Sequence, residues 1–499
     1  MAAITGIGGA SALTLQTIGD MRNQLDDLQR QLGSGMKSTS YAGLGLDRGL
    51  TVGLRQQLSS IDGYQQSITQ VGVRLDLMQT ALSGFSQITQ TTKSTIVQSQ
   101  FALNGKTQTQ DQLNSKAVLD QMIGMMNTGA DGRYLFSGSA VTQVPVETSD
   151  HILNGDGLKA GLKQIIDERR QADLGSNGMG RVTVGGSGTQ VSVTEDAGVF
   201  GMKLVGATTN SAGATVTGPS PSPATLSVDL GATNPNPGDI VNFTFKMPDG
   251  TTRDLKLTAT TSSPPGAGQF TIGATSTDTA TNLQAALSQG VSTMAQTELV
   301  AASAVQAGND FFNTDASHPP QRVDGPPFDT ATALRNGTSA DTVSWYMGDN
   351  STTDPRATAQ ARVDNALTVS YGARASEDAF RTAIQGVALF VATSFSTSDP
   401  NAQGQYSALT QRLNSALVGG PNQQSVTDVA GELAGAQTAV NNAKDRHDQS
   451  STTLQNLLQT VEGAPQEVVA SQILALQTSL QATLQTTALL LKTSLVNYL

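Results

Sequence analysis

Cysteine is absent from all 499 residues, which removes disulfide frameworks, thiolate nucleophiles and cysteine metal sites together. Aromatic residues supply 4% and charged residues 14%, both low for a compact enzyme built around one core. The charge that is present is acidic, a formal net of -11, so the basic face required by nucleic-acid phosphates is missing. Histidine occurs only at His151, His318 and His447, and no pair stands at metal-ligand spacing. Glycine patterns at Gly6, Gly8 and Gly9 and at Gly43, Gly45 and Gly49 do not follow an expected strand, the context a dinucleotide fingerprint needs, and read as flexible hinges. With no nucleophile, base or metal constellation, the protein reads as a non-enzyme with no cofactor and no metal.

Two kinds of apolar run are also missing. The start, MAAITGIGGASALTL, has neither the charged region nor the long apolar stretch of a secretory signal. Nowhere is there an uninterrupted apolar run of transmembrane length. The tail from Gln466 to Leu499 has only Glu467 and Lys492 charged, but Gln, Ser and Thr interrupt it throughout. It is expected to be an association helix that does not insert into a membrane.

What the sequence does have is apolar seams at both ends. Ile18, Met21, Leu25, Leu28 and Leu32 recur at steps of three and four, as do Leu54, Leu58, Ile61, Tyr64, Ile68, Val71, Leu75, Met78, Leu82 and Phe85. Near the other end, Val426, Val429, Leu433, Ala436, Val440, Ala443, His447, Leu454, Leu457 and Val461 follow the same rule, with one polar gap after the histidine. Such a narrow stripe wants another helix against it. A helix from Asp47 to about Ala102 would be about 80 Å long, and one apolar residue in three or four cannot offset the ordering of all the others. The economical solution packs N-terminal and C-terminal helices together. His447, on the seam, reads as a polar core residue that fixes helix register.

Between the ends the period changes. "GSGMKSTSYAGLGLD" at 33–47 and "NGKTQT" at 104–109 are expected to break the N-terminal helices. "RYLFSG" at 133–138 reads as a strand, "GLKQIIDERRQADLG" as a helix with a solvated charge cluster at Asp167, Glu168, Arg169 and Arg170, and "RVTVGGSGTQVSVTED" as a hairpin. Residues 206–225, with "GPSPSPAT", read as a linker. Val241, Phe243 and Phe245 alternate before a Pro248–Gly250 turn, and Leu255 and Leu257 return. A helix capped at Thr277 or Asp278 follows. Residues 313–366 are expected to be irregular, "ALTVSYGARA" at 366–375 to be a strand, and Ser376 with Glu377 and Asp378 to open a helix carrying Phe380, Ile384, Val387 and Phe390. Helix breaks are expected near Gly419–Pro421 and Gly463–Pro465.

The helical ends carry a family resemblance. "LDDLQRQLGSGMKSTS" at Leu25–Ser40 resembles the first helix and following turn of bacterial flagellins and the hook-associated junction proteins related to them, and Leu54–Ile88 is similar to their long second helix. "NTGADGRYLFSGS" at Asn127–Ser139 is similar to the D-G-x-Y-L-F-S-G segment of the hook-associated protein 3 family, the hook–filament junction proteins, as is the ending "SLVNYL". The resemblance covers about 220 residues, 1–140 and 420–499. Tyr41–Asp47 replaces the acidic, proline-containing loop expected after the first turn, and 140–370 matches no part of the family pattern.

The resemblance implies a mainly α, flagellin-like stem of long antiparallel helices from both chain ends, with an inserted β-rich α+β outer region. Residues 1–46 with 465–499 would be terminal inner-tube helices, 47–140 with 370–464 a helical rod domain, and 141–369 the outer insertion. Leu25, Leu28, Leu32, Ile473, Leu476, Leu480, Leu484, Leu491 and Leu495 would form the assembly interface, and the motif residues Tyr134, Leu135, Phe136, Ser137 and Gly138 would lie just outside it. The implied role is a structural subunit of the bacterial flagellum, secreted unfolded through the export channel and assembled at the distal hook as a junction adaptor. A filament flagellin is the alternative. Implied partners are copies of itself, other hook-associated proteins, hook protein or flagellin, and an export chaperone.

Overall fold

The computed structural model describes residues 5–220, 223–418 and 423–496, with the side chains of 5–11, 490, 491 and 493–496 outside that description. The described helices, in chain order, are α1 (Thr5–Ser34), α2 (Arg48–Gln98), α3 (Gln110–Met126), α4 (Ser149–Asn154), α5 (Leu162–Leu174), α6 (Ser276–Met294), α7 (Val300–Phe312), α8 (Asp378–Ala392), α9 (Ala402–Val418), α10 (Val426–Glu462) and α11 (Gln466–Val496). The protein divides into two compact units, one of residues 1–71, 362–368 and 439–499, the other of 72–361 and 369–438.

In the first unit the seams find partners. Leu25 and Leu28 of α1 are half-buried against buried Ala464, just before α11, and buried Val469 and Ile473 in its first turns. Leu54, Ile61, Ile68 and Val71 of α2 are buried. Tyr64 stacks on His447 of α10, ring centroids 5.4 Å apart. His447 is 6% exposed, and its Nε2 lies 2.8 Å from the carbonyl oxygen of Val363. A carbonyl only accepts, so Nε2 carries the hydrogen, and the histidine fixes both its own register and the 362–368 segment. Leu457, placed on the seam by its spacing, is instead exposed.

The second unit holds two four-stranded sheets. The first runs β3 (Val182–Ser187), β4 (Gln190–Glu195), β7 (Thr225–Asp229) and β6 (Thr215–Ser220), all antiparallel. The second runs β10 (Gln269–Thr271), β9 (Thr252–Thr260), β8 (Ile240–Lys246) and β5 (Lys203–Thr209), with β10 parallel to β9. Val241, Phe243, Phe245 and Leu257 are buried in a core shared with Leu283, Leu287 and Val291 of α6. A two-residue hairpin, β1 (Gly129–Ala130) with β2 (Arg133–Tyr134), precedes the sheets.

Several expectations are corrected. Residues 206–225 are no linker: they supply most of β5 and all of β6. Pro219 sits in an edge strand whose register shifts between Thr217 and Ser220, where a missing donor is tolerated. α6 is capped not at Thr277 or Asp278 but earlier, by Thr275, in a capping box with Asp278. Glu377, not Ser376, is the N-cap of α8, and its carboxylate accepts the Arg374 amide hydrogen without capping the helix. The expected strand at 366–375 shrinks to Thr368–Ser370. Phe380, Ile384, Val387 and Phe390 are all buried. The Asp167–Arg170 turn is not uniformly solvated. Asp167 and Arg170 pair in solvent, whereas Glu168 is buried against Arg322, and buried Arg169 donates to Asp173 at 2.8 Å and Asp310 at 3.0 Å. α5 packs on α7 at that edge, and burial pushes the Asp310 carboxyl up although Arg169 opposes it. The break at Gly463–Pro465 is present, and that near Gly419–Pro421 lies outside the described residues.

Candidate assembly surface and its supporting joint

Where α1 and α10 end, the first unit builds a joint. Gly35, with φ of +68°, gives its carbonyl to the Ala464 amide at 2.9 Å, the Lys37 amide donates to the Glu462 carbonyl at 2.7 Å, and Met36 and Gly463 form an antiparallel bridge. Lys37 Nζ donates to the Val461 carbonyl at 2.8 Å, satisfying an acceptor that the end of α10 leaves open. Arg55 Nε and Nη2 donate to the two Glu462 carboxylate oxygens at 3.0 and 2.8 Å, a fork that raises the guanidinium pKa further. A Cβ on Gly463 would stand 2.3 Å from the Gln459 carbonyl oxygen, so this position takes no side chain.

The sequence-derived interface residues divide around this joint. Leu25, Leu28 and Ile473 pack within the unit, Leu476 and Leu480 are half-buried, and Leu32 and Leu484 are exposed, 39% and 42%. The side chains of Leu491 and Leu495 lie outside the described residues. Seam reasoning missed Leu13, Leu15 and Leu474, which are 67%, 66% and 65% exposed. Leu13 and Leu474 stand off the three-four stripe and Leu15 lies three residues before its first member, Ile18; the readable signal was the scarcity of charge in the terminal helices. A face of leucines among neutral amides and hydroxyls can be covered without stranding a buried charge.

The motif residues lie in the second unit and do not form the expected strand. Asp131 and Gly132, both at positive φ, close the β1–β2 turn, and β2 ends at Tyr134. The backbone then diverges to pair elsewhere: the Ala375 amide donates to the Phe136 carbonyl at 2.8 Å, and the Gly138 amide to the Ala373 carbonyl at 3.0 Å. Tyr134 is half-buried; Leu135, Phe136, Ser137 and Gly138 are buried. Phe136 packs edge-on against Phe380 at 5.8 Å, and Phe85 packs against the same ring at 5.5 Å. Gly138 has φ of +64°, and a Cβ there would meet Asp349 Cβ at 2.8 Å. Asp349 accepts from the Ser351 amide at 2.9 Å and from Arg374 Nη2 at 3.1 Å. Burial opposes its charge, but hydrogen bonds from Ser351 and Ser139 outweigh that and hold its pKa down at about 2.

Residues 9–141 match the family model of the bacterial flagellin N-terminal helical region, a stretch running through α1, α2 and α3 to just past the motif. The match supports placing the protein in the flagellin superfamily, whose members are structural, self-assembling flagellar subunits. No curated protein matches the sequence. Among the described residues no helix is long and apolar enough to cross a membrane.

Proposed function

We propose that the protein is the adaptor joining hook to filament in the bacterial flagellum, exported through the flagellar secretion channel and assembled outside the cell at the distal hook. The observation that carries this reading is "DGRYLFSG" at Asp131–Gly138, supported by the ending "SLVNYL". On this reading 1–46 with 465–499 form the inner tube, 47–140 with 370–464 the rod, and 141–369 the outer part. Leu25, Leu28, Leu32, Ile473, Leu476, Leu480, Leu484, Leu491 and Leu495 contribute to the tube. Its neighbours are copies of itself, other hook-associated proteins, hook protein or flagellin, with an export chaperone before assembly.

Labelling the protein on intact flagella tests the proposal. A ring of label at the hook–filament boundary is expected, and label along the whole filament overturns it in favour of a filament flagellin, the reading favoured by the size of the 141–369 insertion. Leu484→Asp is expected to abolish assembly while export into the medium continues. A charge is costly on a covered face and costs nothing in an unfolded polypeptide; loss of export would contradict the assignment.

A further inference from the structure

Asn-Gly pairs occur at Asn104, Asn154, Asn177 and Asn336. Asparagine followed by glycine is the sequence most open to succinimide formation, because no side chain shields the attacking amide. All four asparagines are exposed, so exposure does not rank them. Their bonding does.

Asn154 donates through Nδ2 to Asp150 at 2.8 Å and accepts from Lys163 at 2.9 Å, while the Gly155 amide is held by the His151 carbonyl at 2.9 Å. Asn177 accepts from the Met179 amide at 3.0 Å, and the Gly178 amide donates to the Gly175 carbonyl at 3.1 Å. Asn336 accepts from Gln321 at 2.9 Å, and the Gly337 amide donates to the Pro320 carbonyl at 2.7 Å. In each case both reacting groups are engaged, so reaction must wait for local opening. At Asn104 neither is: its side chain and the Gly105 amide make no hydrogen bond among the described residues. The turn is closed instead one residue later, by the Lys106 amide on the Leu103 carbonyl at 2.8 Å. Asn104 has φ of +48° and Gly105 of +78°, a left-handed pair tolerated by these two residue types.

We propose that Asn104 is a spontaneous deamidation site, an age-dependent modification built into the connection between α2 and α3. Base removes the Gly105 amide proton and the nitrogen attacks Asn104 Cγ. A new bond forms between that nitrogen and Cγ, the bond from Cγ to Nδ2 breaks, and the leaving nitrogen takes up a proton and departs as ammonia. Water then opens the succinimide at either carbonyl, giving aspartate or, with a methylene added to the main chain, isoaspartate. Either product places a new negative charge beside Lys106.

The full-length protein is incubated at pH 8 and 37 °C and its peptides are followed by mass spectrometry for the one-dalton gain, with isoaspartyl methyltransferase labelling as a second readout. In the native protein Asn104 is expected to convert at least tenfold faster than each of the other three sites. In denaturant, where the four share one local chemistry, the rates are expected to converge to within a few-fold. Asn104→Gln should remove the fast product and its methyl label. A native Asn154, Asn177 or Asn336 that converts as fast as Asn104 overturns the proposal, as does an identical ranking in native and denatured protein.

Discussion

Gly138 is the position where one atom decides most. Its φ of +64° and the 2.8 Å approach of an added Cβ to Asp349 Cβ leave alanine both strained and crowded. Gly138→Ala is expected to destabilise the second unit by about 2 kcal/mol or more, read as a lower thermal midpoint with near-native helix content. Asp349 beside it carries a pH signature. Its folded pKa of about 2 lies below the ordinary 3.8, so its contribution is fully present above about pH 4 and is lost as pH falls through 2. Asp349→Asn should therefore flatten the fall in thermal midpoint between pH 4 and pH 2, and an unchanged slope would contradict the assignment. His447 makes the matching case in the first unit. Phenylalanine there would keep a ring beside Tyr64 but leave the Val363 carbonyl without its donor, at a cost of about 1–3 kcal/mol. Hydrogen exchange across 362–368 is the direct measurement, with faster exchange expected.

At the scale of elements, the long helices were legible because their apolar spacing repeats over many turns, and local errors average out. α2 ends at Gln98 and starts at Arg48, close to the span that periodicity alone suggests. Short elements fared worse. In "RYLFSG" the β-prone Tyr, Leu and Phe look like one strand, but the backbone bonds of Phe136 and Gly138 go to Ala375 and Ala373 respectively, partners far away in sequence. β6 was missed because Gly218 and Pro219 are read as loop formers, a rule that an edge strand relaxes. The joint at Gly35–Lys37 was invisible for the same reason: a break could be read from "GSGMKS", but not that its carbonyls and amides would be met by residues 462–464. The buried pairs of Glu168 and Arg169 depend on α7 and on Arg322, which no local window contains.

For the whole molecule, the first unit draws on three separated stretches, 1–71, 362–368 and 439–499, and the second keeps its own core around β8 and α6. Removal of 466–499 strips Val469 and Ile473 from Leu25 and Leu28. That truncation is expected to lower or abolish the first unit's calorimetric transition while the second unit's transition stays within a few degrees; loss of both would show a single cooperative molecule. The site was partly legible at this scale. Which leucines meet within the protein required the fold, because α1 and α11 share similar stripes and only their placement separates a buried face from an exposed one.

The order of those three stretches acts as a clock. A ribosome releases the polypeptide N-terminus first, so α1 and the front of α2 exist long before residues 439–499 arrive. Contacts closing across such distances in sequence form late. Until residues 439–499 have been made, the seams of α1 and the front of α2 therefore lack the partners that the first unit gives them.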